Sequence, residues 1–335
     1  MKKIIALLLL LFSFPFGKGW NIHSQDFHVS QIDAAPHYFN PAVTGVFLEA
    51  DVKYRIYSDY RTQWKSLGIN PFATYYLAGD MPYKISGKEI GVGAYLIHNR
   101  NGKGGLNTMQ FMPSLAYNIT QGKDGPHNLS VGLQMGIIYK SFDPNSFTFD
   151  NQYTGASGYD KSLRSGENFS KTSLLRFDAN MGVYYKYKNE SWKAQPNIGF
   201  SVNHIPRPDQ SLLGIEKDKL PLRWALQAGA DWQVKDELKL TPMVFYMNQA
   251  KATELNIGAL CFYKIKDKAY EVIGGLDYRV NDALVAQVGL KYGPHIFKFS
   301  TDINTSYLNN YTNGSGAFEF SLILNGIAGK SLFGK

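Results

Sequence analysis

Residues that could do chemistry are plentiful in this chain, but their spacing assembles few of them. Ser, His and Asp recur throughout. A nucleophilic triad could be drawn only by choice, because triads are defined by geometry and not by position in a sequence. His23, His28 and His37 cluster near the start, at a spacing of i, i+5, i+14. That spacing matches no zinc signature, so polar side chains facing a mouth are the expectation. One cysteine, Cys261, excludes an intramolecular disulfide and any Cys-based metal site. Gly102-Lys103-Gly104-Gly105 lacks the spacing of a phosphate loop and reads as a flexible outer loop. Asp143, Asp150, Asp160 and Glu167 stand among Phe and Tyr in the stretch 141–171. Carboxylates are calcium ligands, but a solvated or self-packed loop is the plainer expectation. The chain is read as a non-enzyme, with no catalytic residues, no cofactor and no metal.

The elements that would position any site are strands. Aromatics make up 14% of the chain, Gly is abundant at 32 residues, and charged residues are only 19%, against a usual ~25%. No apolar run of spanning length follows the N-terminus, which excludes a multi-span helical membrane protein. The 35 basic and 27 acidic residues leave a net charge of +8. The basic residues are scattered and not blocked, which speaks against nucleic acid and suits anionic lipid head groups. Lys2 and Lys3, the 13-residue apolar run Ile4–Phe16 and the small residues Gly17 and Gly19 predict a signal peptide over 1–19. With no cysteine near the cut, a lipid anchor is not expected.

From Val46 onward the hydrophobic period is two. Leu222, Trp224, Leu226 and Ala228 alternate with Arg223, Ala225, Gln227 and Gly229; Leu129, Val131, Leu133 and Met135 alternate with Ser130, Gly132, Gln134 and Gly136. A soluble sandwich would bury the apolar phase; a membrane barrel turns it outward around a polar lumen. Three features favour the barrel: long segments, apolar faces ending in aromatic residues, and a leader ahead of a chain with no disulfide pair.

Fourteen segments result: 46–57, 71–80, 89–98, 107–120, 127–140, 172–188, 191–203, 221–234, 238–248, 253–265, 268–279, 283–291, 294–304 and 317–325. Every connection longer than eight residues then falls at one end of the barrel, and short turns fall at the other. Long outer loops and short periplasmic turns are the habit of such barrels. Pro113, Pro196 and Pro242 resist the assignment, because proline cannot donate to a ladder; bulges or shifted strand ends would accommodate them. The inward phase mixes both signs: Glu49, Asp51, Lys53, Arg55, Arg176, Asp178, Lys186, Arg223 and Asp231. Such charges can pair across a lumen, so a poorly conducting barrel is expected.

Several motifs in order support a family resemblance. Gln25-Asp26-Phe27-His28-Val29-Ser30-Gln31 and Phe39-Asn40-Pro41-Ala42-Val43-Thr44-Gly45 resemble the opening of the PorP/SprF family of outer-membrane proteins, usually QDPxFSQ and then LNPAxxG. Tyr60-Arg61-Thr62-Gln63-Trp64 resembles its YRNQW element. Gly91–Leu96 with Gly104–Thr108 resembles its GxGxxL and GxLNxT pair, and Phe147–Gln152 its LTFGDQ loop. Asn203–Ser211 followed by Leu220–Arg223 resembles its HHLxxPxQS loop and LPxR. Departures are Phe27 for Pro, Asp150 for Gly, and Ile32-Asp33-Ala34-Ala35-Pro36 where the family usually has Tyr and Asn. The resemblance spans 25 to about 325.

It implies a component of the type IX secretion and gliding machinery. Its expected partners are a secreted surface protein or adhesin, other secretion components and outer-membrane lipid. The overall expectation is an all-β, up-and-down antiparallel transmembrane barrel over 46–325. A pre-barrel segment, 20–45, lies in the periplasm or lumen, and a periplasmic tail over 326–335 puts both termini in the periplasm. Partner-binding candidates in outer-loop motifs are Tyr60, Arg61, Gln63, Trp64, His204, Arg207 and Gln210, with loop bracing equally open. Phe147 and Phe149 of the long loop could be aromatic anchors, or that loop could fold inward as a plug. A porin for small solutes is the alternative function, and an outer-membrane hydrolase a third.

Overall fold

The computed structural model describes residues 26–46, 51–67, 70–102, 105–121, 125–155, 158–167, 171–189, 191–212 and 218–327. Fourteen strands run in chain order: β1 Val52–Gln63, β2 Phe72–Ile85, β3 Lys88–Asn101, β4 Leu106–Asn118, β5 His127–Ser141, β6 Ser173–Tyr187, β7 Ala194–Asn203, β8 Arg223–Lys235, β9 Leu238–Gln249, β10 Ala252–Lys264, β11 Tyr270–Arg279, β12 Ala283–Tyr292, β13 His295–Asn304 and β14 Ser315–Ile327. Each pairs antiparallel with its sequence neighbours, and β1 closes on β14 with Tyr60 opposite Phe320. The expected up-and-down barrel is therefore the observed one.

The two phases of each strand meet different surroundings. Leu133, Met135, Phe177, Met181, Leu226 and Leu276 are exposed on the outside. Asp178, Asn180, Ser201, Arg223, Asp277 and Glu319 are buried inside. Exposed Tyr60, Tyr75, Trp224 and Tyr278 lie near one rim, and Tyr83, Trp192, Tyr263 and Tyr292 near the other. These are the two aromatic girdles that flank a lipid-facing band. The long connections 142–172, 204–222 and 305–314 share one rim, here the loop rim. The opposite turn rim carries 86–87, 119–126, 188–193, 236–237, 265–269 and 293–294, and β1 starts and β14 ends there.

Two expectations change. β1 starts at Val52, not at 46, and runs to Gln63, so Tyr60, Arg61 and Gln63 leave the loop and join the wall. The second half of this strand turns Tyr57, Asp59 and Arg61 inward and leaves Ser58 exposed, which hides its period from an apolar-outward reading. The three prolines need no bulge. Pro113 pairs with Ala94, but the β4–β5 register skips from Phe111 to Ser114. Pro242 pairs with Ala259, but the β8–β9 register skips it. Pro196 pairs with Ala230, one residue beyond the last β6–β7 pair. Each proline stands where one of its two ladders is interrupted, so its missing N–H breaks no further pairing.

The core is the inside of the barrel, and residues 26–46 fill it. Short turns Ile32–Ala34, Pro36–Phe39 and Pro41–Val43 fold this segment compactly. Its Val29, Ile32, Tyr38 and Phe39 pack against Tyr57, Tyr76, Tyr95, Met112, Phe245 and Met247 of the wall. The long loop is not the plug: it keeps Phe147, Tyr153 and Tyr159 exposed and folds on its own short turns and a small hairpin at 153–159.

Candidate functional site

The plug descends from the loop rim to the turn rim, and wall side chains read it at every level. At the top, Asp26 Oδ2 lies 2.6 Å from His204 Nε2 and accepts from Arg223 Nη1 at 2.9 Å. His204 Nδ1 lies 2.7 Å from Asp178 Oδ2, and the Asp26 N–H donates to Gln249 Oε1 at 2.8 Å. Arg223 also donates to the Tyr38 carbonyl at 2.8 Å and lies 4.1 Å above the Tyr38 ring. Burial alone would lower the pKa of His204, but the Asp26 charge and hydrogen bonds to Asp178 and Asp26 outweigh it and raise it to about 9. Burial would raise the Asp26 carboxyl, yet His204 and Arg223 hold it well below the usual carboxylate range. An imidazolium, a guanidinium and a carboxylate therefore meet at neutral pH.

Ser30 and Gln31 of the plug enter a second charged knot. Arg61 donates to Asp302 at 2.8 Å and to Glu319 at 2.9 Å, and Arg279 donates to Asp302 at 2.7 Å. Ser30 Oγ donates to Asp302 at 2.7 Å, while Glu319 accepts the backbone N–H groups of Ser30 and Gln31 at 2.8 and 2.7 Å. The Gln31 amide donates to Ser300 at 3.1 Å and accepts from Ser321 at 2.5 Å. Further down, Lys298 donates to Asp33 at 2.6 Å. His37 Nε2 is 3.1 Å from Asp80, which also accepts from Arg55 Nε at 2.9 Å and from Gly45 N–H at 2.6 Å.

Near the turn rim, contact is by backbone. The Asn40 amide donates to the Val183 carbonyl at 3.0 Å, and its oxygen caps the turn at Pro41–Val43 by accepting from Ala42 N–H at 2.9 Å. Here the wall uses glycine: a Cβ on Gly91 would sit 1.7 Å from the Thr44 carbonyl oxygen, and one on Gly132 would sit 2.4 Å from the Ala42 nitrogen.

Above the plug opens a vestibule of about 470 Å³, lined by Asp26, Phe27, His28, Gln63, Trp64, Phe72, Asn99 and Gln110 among others. Trp64 takes a left-handed backbone (φ 57°) and packs edge-on against Phe72 at 4.8 Å. The lining mixes aromatic rings and amides with the ionisable groups of Asp26, His28, Lys140, Glu254, Arg279 and Asp282.

The sequence-derived candidates scatter over this arrangement. Asp26, Ser30, Gln31, Asn40 and Pro41 are plug residues; Gln25 lies outside the described residues. Gln63 and Trp64 face the vestibule. Arg61 and His204, expected on outer loops, are buried in the lumen, because their charges are answered there by Asp302, Glu319, Asp26 and Asp178. Tyr60 faces lipid against Tyr75, ring centroids 4.7 Å apart. Gln210 is buried and accepts from Lys140 at 2.5 Å, while Arg207 is exposed in a left-handed turn (φ 49°). Phe147 is exposed on the long loop, and Phe149 is half-buried there.

His28 pairs with Glu254 and His37 with Asp80, so these histidines do not converge; His23 lies outside the described residues. Asp143 and Asp160 accept from their own turns, which lowers their pKa. Among the described residues no group of three metal-ligand side chains is assembled. Glu254, Arg279, Asp302 and Glu319 were not singled out from sequence. Their signal is a charge on the inward phase of a strand whose outward neighbours are aromatic, as with Glu319 between Phe318 and Phe320.

A closed barrel with two aromatic girdles, a polar lumen and an internal plug defines an outer-membrane β-barrel protein. The chain belongs to the PorP/SprF family, described as type IX secretion system membrane protein, and matches it over residues 21–324. Among solved structures it is similar to the toluene transporter TbuX of Ralstonia pickettii, at 10% identity over 85% of this chain and 90% of that one, with a TM-score of 0.48. A FadL homologue of Pseudomonas aeruginosa matches at 13% identity over 85% and 91%, with a TM-score of 0.45. The toluene transporter TodX of Pseudomonas putida matches at 9% identity over 90% and 94%, with a TM-score of 0.47. No curated protein sequence matches the chain at a significant level.

Proposed function

We propose that this protein is a non-enzymatic docking barrel of type IX secretion, which holds an exported surface protein or adhesin at its loop rim and so serves secretion, surface attachment or gliding. The observation that carries the reading is the vestibule. It is about 470 Å³, opens among the strand ends at the loop rim, and is floored by a plug tied to the wall by the buried ion pairs of Asp26 with His204 and Arg223. A floor of this kind suits gripping over passage. Gln63, Trp64, Phe147 and Arg207 are the contact residues in this proposal, with Arg61, His204 and Gln210 shaping the floor behind them. The loop rim faces outward and the turn rim faces the periplasm, so the C-terminal strand ends on the periplasmic side. Asp26, by contrast, lies at the loop-side end of the lumen.

The test is to delete 144–167 or replace Trp64 and Phe147 by Ala, then follow exported proteins in the membrane complex and on the cell surface. Loss of one surface protein with unchanged barrel assembly is expected. Normal display of all of them would remove the proposal. A porin reading predicts sugar-sized permeation in liposome swelling, and the docking reading predicts none.

A further inference from the structure

One wall of the vestibule holds polar groups that the fold leaves unused. The loop-rim ends of β1 to β4 meet there, with Gln63 opposite Phe72 and Asn99 opposite Thr108. Gln110 is 2% exposed and Asn99 3%. The Gln110 oxygen accepts from the Tyr95 hydroxyl, and the Asn99 amide donates to Thr74. The NH2 of Gln110 and the oxygen of Asn99 have no partner among the described residues. Nor do the side chains of Gln63, Asn101 and Thr108 make a hydrogen bond there, and all five residues line the cavity.

The charged part of the lining is answered within the protein. Asp26 pairs with His204 and Arg223, Glu254 with His28, and Arg279 with Asp282 and Asp302. Lys140 forms no ion pair among the described residues, but its ammonium donates to the Gln210 amide at 2.5 Å. The groups left for a ligand are thus mostly neutral: amide donors, amide acceptors and a hydroxyl.

Aromatic rings stand beside them. Trp64 and Phe72 face the vestibule. Phe72, Asn101 and Leu106 also line an adjoining cavity of about 440 Å³, completed by Ser146, Phe147 and Thr148 of the long loop. A chain lying across both spaces meets three rings, Trp64, Phe72 and Phe147, with amides and hydroxyls between them.

This lining discriminates among ligands. A peptide held by its backbone needs a free strand edge. Here the ladders run to the strand ends, with Gln63 paired to Phe72, Ala73 to Arg100 and Asn101 to Leu106. A hydrocarbon would displace water from the unused polar groups and leave them unpaired. An ionic ligand would have to compete with pairs already made. A sugar suits both parts of the lining: each hydroxyl donates and accepts, and the C–H face of the ring packs on an aromatic surface beside a few placed polar groups.

We infer that the vestibule and the cavity beside it bind a neutral glycan chain. Trp64 and Phe72 are the stacking surfaces, and Gln63, Asn99, Asn101 and Gln110 are the hydroxyl partners. That the site faces outward, where glycans of surface proteins and of lipopolysaccharide are displayed, rests on the reading proposed above; the recognition itself does not.

The test uses the full protein in nanodiscs and two probes prepared from the cells that make it. One is the polysaccharide released from lipopolysaccharide by mild acid; the other is the glycopeptide pool released from surface proteins by protease. Calorimetry is expected to show binding of at least one probe, and the probe that binds identifies the source of the glycan. Periodate, which cleaves vicinal diols and spares the peptide chain, should abolish it. Q63A/W64A/N101A should weaken binding by about tenfold or more, through a lost ring and two lost hydrogen-bonding side chains. Tyr153→Ala, on the long loop but outside both cavities, should bind as the parent does. Heat-modifiable migration checks that each variant is folded. The inference is overturned if neither probe binds or if the folded triple variant binds undiminished. It is also overturned if glycopeptide binding survives periodate; a peptide then occupies the vestibule, and the docking reading stands without the glycan.

Discussion

Ser30 and Gln31 show why the opening motif needs its particular residues. The two backbone N–H groups share the two oxygens of Glu319, and the two side chains satisfy Asp302, Ser300 and Ser321. Glu319 and Asp302 are in turn held by Arg61 and Arg279. Removing one partner from such a knot leaves a buried charge unanswered, which costs about 3–5 kcal/mol. Asp302→Asn should therefore lower the midpoint of heat-modifiable migration strongly. Asp282→Asn should barely move it, since that carboxylate is 43% exposed and such pairs contribute about 0–1 kcal/mol.

His204 supplies a second prediction at this scale. Its pKa is raised to about 9, above an unfolded value near ~6.5. Its contribution to stability is thus fully present below the unfolded pKa and is lost as pH rises through the folded one. Asp26 has the opposite sign: its depressed pKa gives stability that fades only in acid. Thermal unfolding in detergent should show stability falling through the alkaline range in the parent, with a flatter slope in His204→Gln.

These roles were half legible. The motif singled out Asp26, Ser30, Gln31 and Asn40, but their partners lie far along the chain, Glu319 being 289 residues from Ser30. No local pattern reports such a pairing. Arg61 and His204 read as loop residues because a charge is assigned to water unless a buried counter-charge is known.

At the scale of elements, legibility followed the strength of the apolar outward phase. β5, apart from Ile138, and β6 alternate cleanly with their inward sets as expected, and β8 does so over its first half, before the register shift between Gln233 and Lys235. β1 was displaced because the plug gives the lumen an apolar interior locally: Tyr57 turns inward, edge-on to His37 at 5.2 Å. A barrel with a protein core breaks the polar-inside rule wherever plug and wall meet, so sequence phase fails there first. The plug seat itself was visible only as a run of glycines on inward positions. Gly91 is the sharpest of them, with the Thr44 carbonyl where its Cβ would be. Gly91→Val should push residues 44–46 off the wall and expose the plug to protease added to purified protein. Gly274→Ala, with nothing within 4 Å of the new methyl, should leave the digestion pattern unchanged.

For the whole molecule, the question is whether the lumen is a path. The plug's Val29, Ile32, Tyr38 and Phe39 form one apolar cluster with wall residues from β1 to β4 and from β9. The vestibule above it and a second cavity of about 300 Å³ nearer the turn rim, between Asp33, Arg55, Lys186 and Asp277, are separate spaces with different linings. An ion would have to cross that cluster, or displace carboxylates and guanidiniums already satisfied by each other, and water cannot replace these partners without first entering a close-packed interior. The intact protein in planar bilayers should therefore show little steady conductance, even though its wall has fourteen strands. Excising 27–43 removes the plug's half of the apolar cluster and strips Glu319 of Ser30 and Gln31, Asp80 of His37 and Lys298 of Asp33. The emptied barrel keeps its wall-to-wall pairs, Arg61 with Asp302 and Arg55 with Asp80, so it should still assemble and migrate as a folded band. It should then open a large, weakly selective channel, because the remaining inward charges are of both signs. Large steady openings in the intact protein would show that the plug moves aside readily. The vestibule would then be the entrance to a passage, and not a closed cup in which a partner can be held.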